Sequence, residues 1–227
     1  MTAPDIARRL PGIAALRDLC RSMAMVEAIL EPDLPYRRHG FDAHWSKTRQ
    51  LAWMASGGGD EYSVVFSSDG VYIRGFDHES PLSPWAGNGT PWPGVLDSVP
   101  EVFRPLVEEP SFATDGVPKV TVCLWRESGD PEWRTGRIDF GGARRDDVDG
   151  ARYLFGFLTD GNPERYRDWA QDYYGKPVDL DAVRHVHALR PLTPEVVSAL
   201  NPEVTPAQLR AAVEAIGYPR ASAGRSA

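Results

Sequence analysis

The feature that most constrains the fold is a run of three β-prone segments at residues 48–55, 62–67 and 71–76, separated only by turn sequences. The first connection reads SGGGD and the second reads SDG. An Asp-Gly pair between β-prone segments is a strong hairpin signal, because both central residues of a type I′ turn need positive φ. The sequence therefore predicts an antiparallel meander over residues 48–76.

Other periodic segments lie on both sides of the meander. Apolar residues recur every three or four positions over residues 11–31, which predicts an amphipathic helix that ends at Pro32. Two β-prone segments at 119–125 and 133–140, joined by turn residues, predict a second hairpin. Further helical patterns lie at 94–108, 148–158, 163–174, 193–200 and 206–216.

This grouping of strands and helices predicts an α+β fold rather than a parallel, doubly wound sheet. We expect an antiparallel sheet of about five strands, with an N-terminal helix and a C-terminal helical cluster packed against one face. The predicted organisation is a single α+β domain over residues 1–219 followed by a disordered tail. Its parts are the N-terminal helix (1–35), the sheet with a helical insert (48–140), a solvated loop (143–150), the helical part (147–218) and the tail (220–227).

Charge limits the classes of partner. The chain of 227 residues carries 25 basic and 32 acidic residues, a net charge of -7. This balance opposes binding to nucleic acid or to an anionic membrane, and it favours a basic protein partner. Only a local patch of Arg37, Arg38 and Arg49 would favour nucleic acid. Only 3 of the basic residues are lysine, which is typical of a GC-rich bacterial genome.

The sequence has no apolar stretch near the roughly 20 residues that a membrane span needs, and charges interrupt its first thirty residues. We therefore expect no membrane span and a cytoplasmic location. Cys20 and Cys123 lie in apolar patterns away from each other, so each is expected to be a small buried hydrophobe. Neither has the spacing of a zinc ligand, and we expect no metal and no cofactor.

The strongest candidate for chemistry lies where the third strand ends, in the sequence RGFDHESP. Asp77 or Glu79 could orient His78 as a general base, with Arg74 nearby, or the three could bind a metal ion. The alternative is that Asp77 and Ser80 make side-chain bonds to the turn backbone while His78 and Glu79 are solvated.

Additional histidines could join such a site. His39, Asp42 and His44 are crowded in the segment before the first strand of the meander. His185 and His187 would share a face in a strand, but in a helix they would diverge by about 200°. The sequence leaves the structure of that last segment open.

Two tryptophans lie in a proline- and glycine-rich stretch after this candidate site. Trp85 and Trp92 are interleaved with prolines, so the stretch cannot continue a regular ladder. Partly exposed tryptophans are enriched at interfaces, which makes an aromatic binding loop one interpretation. The alternative is that both side chains cover an open edge of the sheet.

Four phrases of the sequence resemble an uncharacterised family of bacterial hypothetical proteins. They are RRHGFDAHWSKTRQLA (37–52), DEYSVVFS (60–67), RGFDHESPLSP (74–84) and RPLTPEVVSALNP (190–202). The resemblance covers most of the chain. It implies no activity, since the family has no assigned function or catalytic residues.

Two functions remain. The first is a noncatalytic protein-binding module, immunity-like or stress-associated, that uses its negative charge and the tryptophan loop. The second is an enzyme or small-ligand binder in which His78 converges with its flanking carboxylates, Arg74 and His39 or His44 in one cavity.

Overall fold

The computed structural model describes residues 1–139 and 148–220. The predicted tail, apart from its first residue, and most of the predicted solvated loop at 143–150 lie outside these residues. None of the helices in the described ranges is both long and apolar enough to cross a bilayer.

Strands and helices are grouped in separate parts of the chain, which is typical of an α+β fold. The described main sheet has six strands, where about five were predicted. Every pair of neighbouring strands is antiparallel, in the order β1-β2-β3-β4-β7-β8, and β5 and β6 form a separate small hairpin. The strands are β1 (His39–Asp42), β2 (Gln50–Ala55), β3 (Glu61–Phe66), β4 (Gly70–Phe76), β5 (Ala113–Thr114), β6 (Val117–Pro118), β7 (Val122–Glu127) and β8 (Arg134–Thr135).

The meander is confirmed, but its second turn is not of type I′. Gly70 has φ +135°, whereas Asp69 is not among the residues with positive φ, so the turn does not use two such positions. The Ser67 amide donates to the Gly70 carbonyl at 2.9 Å and closes the hairpin. The Asp-Gly signal thus located the hairpin correctly and specified the wrong turn geometry.

Strand β1 is the sixth strand and was not predicted. The segment HGFD is short and contains a glycine, so its own β-propensity is weak. Pairing with β2 stabilises it, with His39 opposite Met54 and Asp42 opposite Leu51. A Cβ at position 40 would lie 2.0 Å from the ring of Trp53, so only glycine fits there.

Most of the helices agree with the apolar periodicity. The pattern at 94–108 is helical only over 101–107, and the short helix α1 was missed. The last helix begins at Arg210 rather than residue 206, because Thr205 bonds to Gln208 in a preceding turn. The segment of His185 and His187, which the sequence left open, is helical. The helices are α1 (Ala3–Ala7), α2 (Ile13–Leu30), α3 (Arg104–Val107), α4 (Ala151–Asp160), α5 (Pro163–Tyr174), α6 (Leu180–His187), α7 (Pro194–Leu200) and α8 (Arg210–Ile216).

The N-terminal helix and the C-terminal helices cover one face of the sheet, as predicted, and residues 95–112 cover the other. On the first face, Val64 and Ile73 join a large core formed with α2 and the C-terminal helices. On the second face, Val65 and Tyr72 pack in a smaller core under residues 95–112. Successive side chains of a strand point to opposite faces, so each strand serves both cores.

Candidate functional site

The end of the sheet where β3 begins and β4 ends brings His78 next to a carboxylate. The register pairs Glu61 with Phe76, so the preceding residue Asp60 lies beside the chain that leaves β4. Asp60 Oδ1 is 2.6 Å from His78 Nδ1 and accepts the His78 backbone N–H at 3.1 Å. The carboxylate that orients His78 is therefore Asp60, not Asp77 or Glu79 as the sequence suggested.

The electrostatics of this pair follow from its contacts. Burial opposes ionisation of Asp60, but the hydrogen bonds from His78 and Ser56 outweigh it and lower the pKa of Asp60. The hydrogen bond to Asp60 raises the pKa of His78. The His78 side chain is 45% exposed, while that of Asp60 is 10% exposed. An exposed imidazole backed by a carboxylate can exchange a proton with a bound molecule.

Asp77 and Ser80, on either side of His78, form hydrogen bonds that stabilise the turn. Asp77 Oδ1 accepts the Glu79 N–H at 2.9 Å, and Ser80 Oγ accepts the Leu82 N–H at 3.0 Å. The Ser80 hydroxyl also donates to the carbonyl of Val148. The alternative interpretation of this loop, with side-chain bonds to the turn backbone, is therefore confirmed for Asp77 and Ser80.

Asp60, Asp77 and His78 can each offer one ligand atom, and these atoms lie within 4.8 Å of one another. Two carboxylates and one imidazole form a donor set that suits several divalent cations. Asp60 Oδ1 already bonds to Nδ1 of the imidazole, so a cation that leaves this contact intact would bind the other imidazole nitrogen, Nε2.

Arg74 lies on the second face of the sheet, in a network of its own. Its guanidinium contacts Glu61 at 2.6 Å and stacks 4.5 Å from the ring centroid of Phe112. Lys119 also pairs with Glu61. Burial opposes the charge of Glu61, but Arg74 and Lys119 lower its pKa. Arg74 is held within the structure and does not join His78.

His39 lies on the first face, deep in the core. Its Nδ1 is 2.5 Å from Oε1 of Glu27, a carboxylate that is itself completely buried in α2. The hydroxyls of Tyr166 and Tyr174 also donate to Glu27. Burial would raise the pKa of Glu27, but the charge of His39 and the surrounding hydrogen bonds lower it.

The predicted convergence of histidines does not occur in the described structure. His39 and Arg74 are on opposite faces of the sheet, and His78 lies beyond its end. His44 is exposed after the far end of β1, where its backbone N–H bonds to Asp42. The candidate residues that do meet are Asp77 and His78, together with the unpredicted Asp60.

Both tryptophans of the proline-rich stretch are exposed, Trp85 by 49% and Trp92 by 39%. The Trp85 ring contacts the edge of Phe76 on the second face, with centroids 5.3 Å apart. The two edges of the sheet are β1 and β8, and Gly94 and Val95, which follow Trp92, lie against Gly136 and Arg137 next to β8. Trp85 therefore provides aromatic surface next to the end of β4, while Trp92 lies in the stretch that runs beside β8.

These tryptophans belong to a strongly acidic segment, residues 77–118, which we call the acidic insert. It contains seven acidic residues and only one basic residue, Arg104, so it holds nearly all of the net charge of -7. Its apolar side chains fill the second core, including Val99 and Phe103. Its exposed acidic residues are Glu79, Asp97, Glu101, Glu108 and Asp115.

Two substitutions compare how much the core and the His78 turn contribute to stability. Val64→Ala removes fully buried methyl groups and is expected to lower the free energy of unfolding by about 1 to 3 kcal/mol. His78→Ala removes a half-exposed ring from the surface and is expected to leave the melting temperature nearly unchanged. Thermal melts of both variants check this, and an equal loss in the two would contradict it.

The remaining candidate residues are two cysteines and two histidines. Cys20 and Cys123 are buried free thiols, as predicted, and burial raises the pKa of each to about 12. His185 and His187 lie in α6, so they diverge as a helix requires. Burial lowers the pKa of His187 to about 4, so this ring is neutral near pH 7.

Sequence reasoning missed the two carboxylates that bond to histidines. Glu27 was visible as a signal, because it lies four residues after Met23 and three before Leu30 on the apolar stripe of α2. A charged residue in such a stripe is seldom buried without a partner. Asp60 had no local signal, since only the strand register brings it to His78.

No protein-family model matches this chain, and neither curated proteins nor solved structures give a significant match. The resemblance to a family of bacterial hypothetical proteins stays a prediction.

Proposed function

We propose that this protein is a noncatalytic module that binds a basic segment of another protein on its acidic insert. The observation that carries the proposal is that one segment, residues 77–118, combines the excess of negative charge with two exposed tryptophans. The same segment is anchored to the sheet by its apolar side chains, so it offers an ordered surface.

Each component of this surface has a separate role in recognition. Tryptophan is enriched among the residues that dominate binding energy, because its ring offers a large contact area with few rotatable bonds. Trp85 is also packed against Phe76, which limits its freedom before binding. Exposed carboxylates attract a basic partner and accelerate its association. Lysine or arginine side chains of a partner can also stack on tryptophan rings.

The noncatalytic part of the proposal is supported by where the polar side chains lie. Arg74 and His39 each engage a carboxylate inside the structure, on opposite sides of the sheet. The described cavities of about 330 to 530 Å³ are lined by residues other than His78, Asp60 and Asp77.

Selection of short peptides from a random display library, with the full chain as target, tests the proposal. We expect the enriched peptides to be rich in lysine and arginine. Binding of a synthetic enriched peptide should weaken by about tenfold or more in Trp85→Ala, and also in the double variant Glu79→Lys/Glu101→Lys. Higher ionic strength should weaken it further.

The matched control reverses two exposed acidic residues elsewhere. Asp172 in α5 and Glu203 after α7 are exposed and lie outside the acidic insert. Asp172→Lys/Glu203→Lys gives the same change in net charge and should leave the peptide affinity unchanged. Enriched peptides without an excess of basic residues, or equal losses in both double variants, would overturn the proposal.

A second candidate function rests on the Asp60–His78 pair. A half-exposed imidazole held 2.6 Å from a carboxylate is the arrangement that acid–base chemistry uses. The enzyme or small-ligand hypothesis therefore reduces to these two residues and Asp77. If it holds, His78→Gln abolishes turnover or binding of a small molecule while Trp85→Ala does not.

A further inference from the structure

A groove of about 390 Å³ lies at the opposite end of the sheet from His78. It is bounded by the second turn of α2, by the connection between β1 and β2, and by the turn that leaves β3. Its lining includes Arg17, Lys47 and Arg49 together with Phe66 and Gln50. We call it the cationic groove.

Charge distinguishes this groove from the rest of the molecule. No aspartate or glutamate is among the residues that line it. Within the described ranges, the side chains of Arg17, Lys47 and Arg49 form no ion pair and no hydrogen bond. Three uncompensated cations therefore face one small volume in a chain whose net charge is -7.

Contacts within the protein hold the segments that carry the three cations. The Arg17 guanidinium lies 5.3 Å from the centroid of the buried Phe66 ring, which leaves its edge free for hydrogen bonds. The Arg49 carbonyl accepts the Ser46 N–H at 3.1 Å, so the loop that carries Lys47 is closed on itself. Stacking therefore restrains Arg17, and the closed loop restrains the backbone from which Lys47 and Arg49 extend.

The side chains of Arg17 and Gln50, which line the groove, each contain one polar atom that is not satisfied within the protein. Arg17 Nε and Gln50 Oε1 are both buried and have no hydrogen-bond partner among the described residues. Buried polar groups are nearly always paired, so such exceptions need an explanation. Because both atoms are also shielded from solvent, a molecule in the open groove would contact the exposed cations and not these two atoms.

Hydroxyl groups complete the donor set. Ser46, Thr48 and Ser68 also line the groove, as does Ser67, whose hydroxyl already donates to the Gly70 carbonyl at 3.3 Å. Guanidinium, ammonium and hydroxyl donors around one volume are the groups that bind phosphate oxygens in proteins. The proximity of like charges is felt locally, since burial and the charge of Arg17 together lower the pKa of Arg21.

We propose that the cationic groove binds a small organic phosphate ester, with Arg17, Lys47 and Arg49 holding the phosphate group. The volume suits a single small molecule, because pockets for such ligands begin at roughly 300 Å³. This site is at the other end of the sheet from the Asp60–His78 pair and does not depend on the acidic insert.

Isothermal titration calorimetry of the full chain tests the proposal with glucose 6-phosphate and AMP as ester probes. Glucose and adenosine are their uncharged counterparts, and inorganic phosphate is the third arm. We expect at least one ester to bind, and its uncharged counterpart to give no heat of binding. Lys47→Gln/Arg49→Gln should weaken the affinity of the ester by about tenfold or more.

The control removes two exposed arginines whose side chains also form no contacts of this kind. Arg190→Gln/Arg210→Gln changes the net charge equally and should leave the affinity unchanged. Thermal melts should show that both double variants fold like the wild type, since the replaced side chains form no hydrogen bonds within the described chain. Equal binding of an ester and its uncharged counterpart would overturn the proposal. So would equal losses in both variants, binding of inorganic phosphate alone, or binding confined to a DNA or RNA oligonucleotide.

Discussion

Replacing Glu27 with alanine is expected to lower the free energy of unfolding by about 3 to 5 kcal/mol, because it removes a fully buried acceptor and leaves several buried donors unsatisfied. His39 would then lie among aromatic rings without its carboxylate, at 5.1 Å from the Trp169 ring centroid and 5.9 Å from that of Tyr166. Urea unfolding followed by tryptophan fluorescence measures the loss.

The expected size of this effect reflects how many donors Glu27 satisfies. Its Oε2 accepts the backbone N–H groups of Arg38 and His39 at 2.6 and 2.9 Å, and the Tyr174 hydroxyl at 2.7 Å. Its Oε1 accepts from His39 Nδ1 and from the Tyr166 hydroxyl. Alanine would leave these donors buried without an acceptor, and it would detach the start of β1 from α2.

Glu27→Gln is the matched control, since it keeps the shape of the side chain. The NH2 group of glutamine can take the position of Oε1, because the Tyr166 hydroxyl and the His39 imidazole can both accept a hydrogen bond there. The carbonyl oxygen of glutamine can take the position of Oε2 and still accept from the two backbone N–H groups. We expect a smaller loss, about 1 to 3 kcal/mol. Equal losses for glutamine and alanine would contradict the importance of the backbone contacts to Oε2.

The same carboxylate predicts a dependence of stability on pH. The pKa of Glu27 is lowered in the folded protein from its ordinary value of 4.5. Its contribution to stability is therefore present above this ordinary value and is lost as the pH falls through the lower folded-state pKa. The melting temperature of the wild type should decline over this range more steeply than that of Glu27→Gln.

The central meander could be predicted because its signals are local. Each strand from residue 48 to 76 alternates or carries β-branched side chains, and the connections are too short for any crossover. The caps of α5 and α7 were equally local. Asn162 and Thr193, each followed by a proline, accept the N–H groups of Arg165 and Val196 and cap these helices.

What the sequence could not predict depends on contacts between distant residues. Strand β1 can pair with β2 because Gly40 lets the Trp53 ring pack against its backbone. The sequence HGFD contains no signal for that contact. Asp60 reaches His78 only through the register of β3 and β4. The separation of His39 and Arg74 likewise depends on which face of the sheet each side chain takes. The sequence therefore identified candidate site residues but could not predict which of them lie together in the fold.

The cationic groove also could not be predicted from the sequence, because its residues are distant from one another in the chain. Arg17 belongs to a helix, Lys47 and Arg49 to a loop, and Ser67 to a turn, so no spacing in the chain relates them. The sequence suggested instead a patch of Arg37, Arg38 and Arg49. Arg38 precedes β1 and Arg49 precedes β2, and antiparallel pairing puts these two positions at opposite ends of the strand pair. The patch therefore does not form.

Gly70→Ala is expected to lower the free energy of unfolding by about 2 to 5 kcal/mol, through backbone strain together with a steric clash. Gly70 has φ +135°, a conformation that side chains with a Cβ rarely adopt. A Cβ there would lie 2.2 Å from the Arg126 carbonyl oxygen and 2.8 Å from the Glu127 Cα, both backbone atoms of β7. Because no side chain can move aside, β4 or β7 must shift.

Gly58→Ala is the control for this substitution, since it adds the same methyl group to the other turn of the meander. Gly58 lacks a positive φ, and its added Cβ would meet only Ser56 Oγ at an ordinary 3.6 Å. We expect its unfolding free energy to stay within about 0.5 kcal/mol of the wild type. Thermal and urea unfolding of the two variants measure the difference. Comparable stability of Gly70→Ala and Gly58→Ala would mean that β4 does not lie against β7 in the register on which both cores depend.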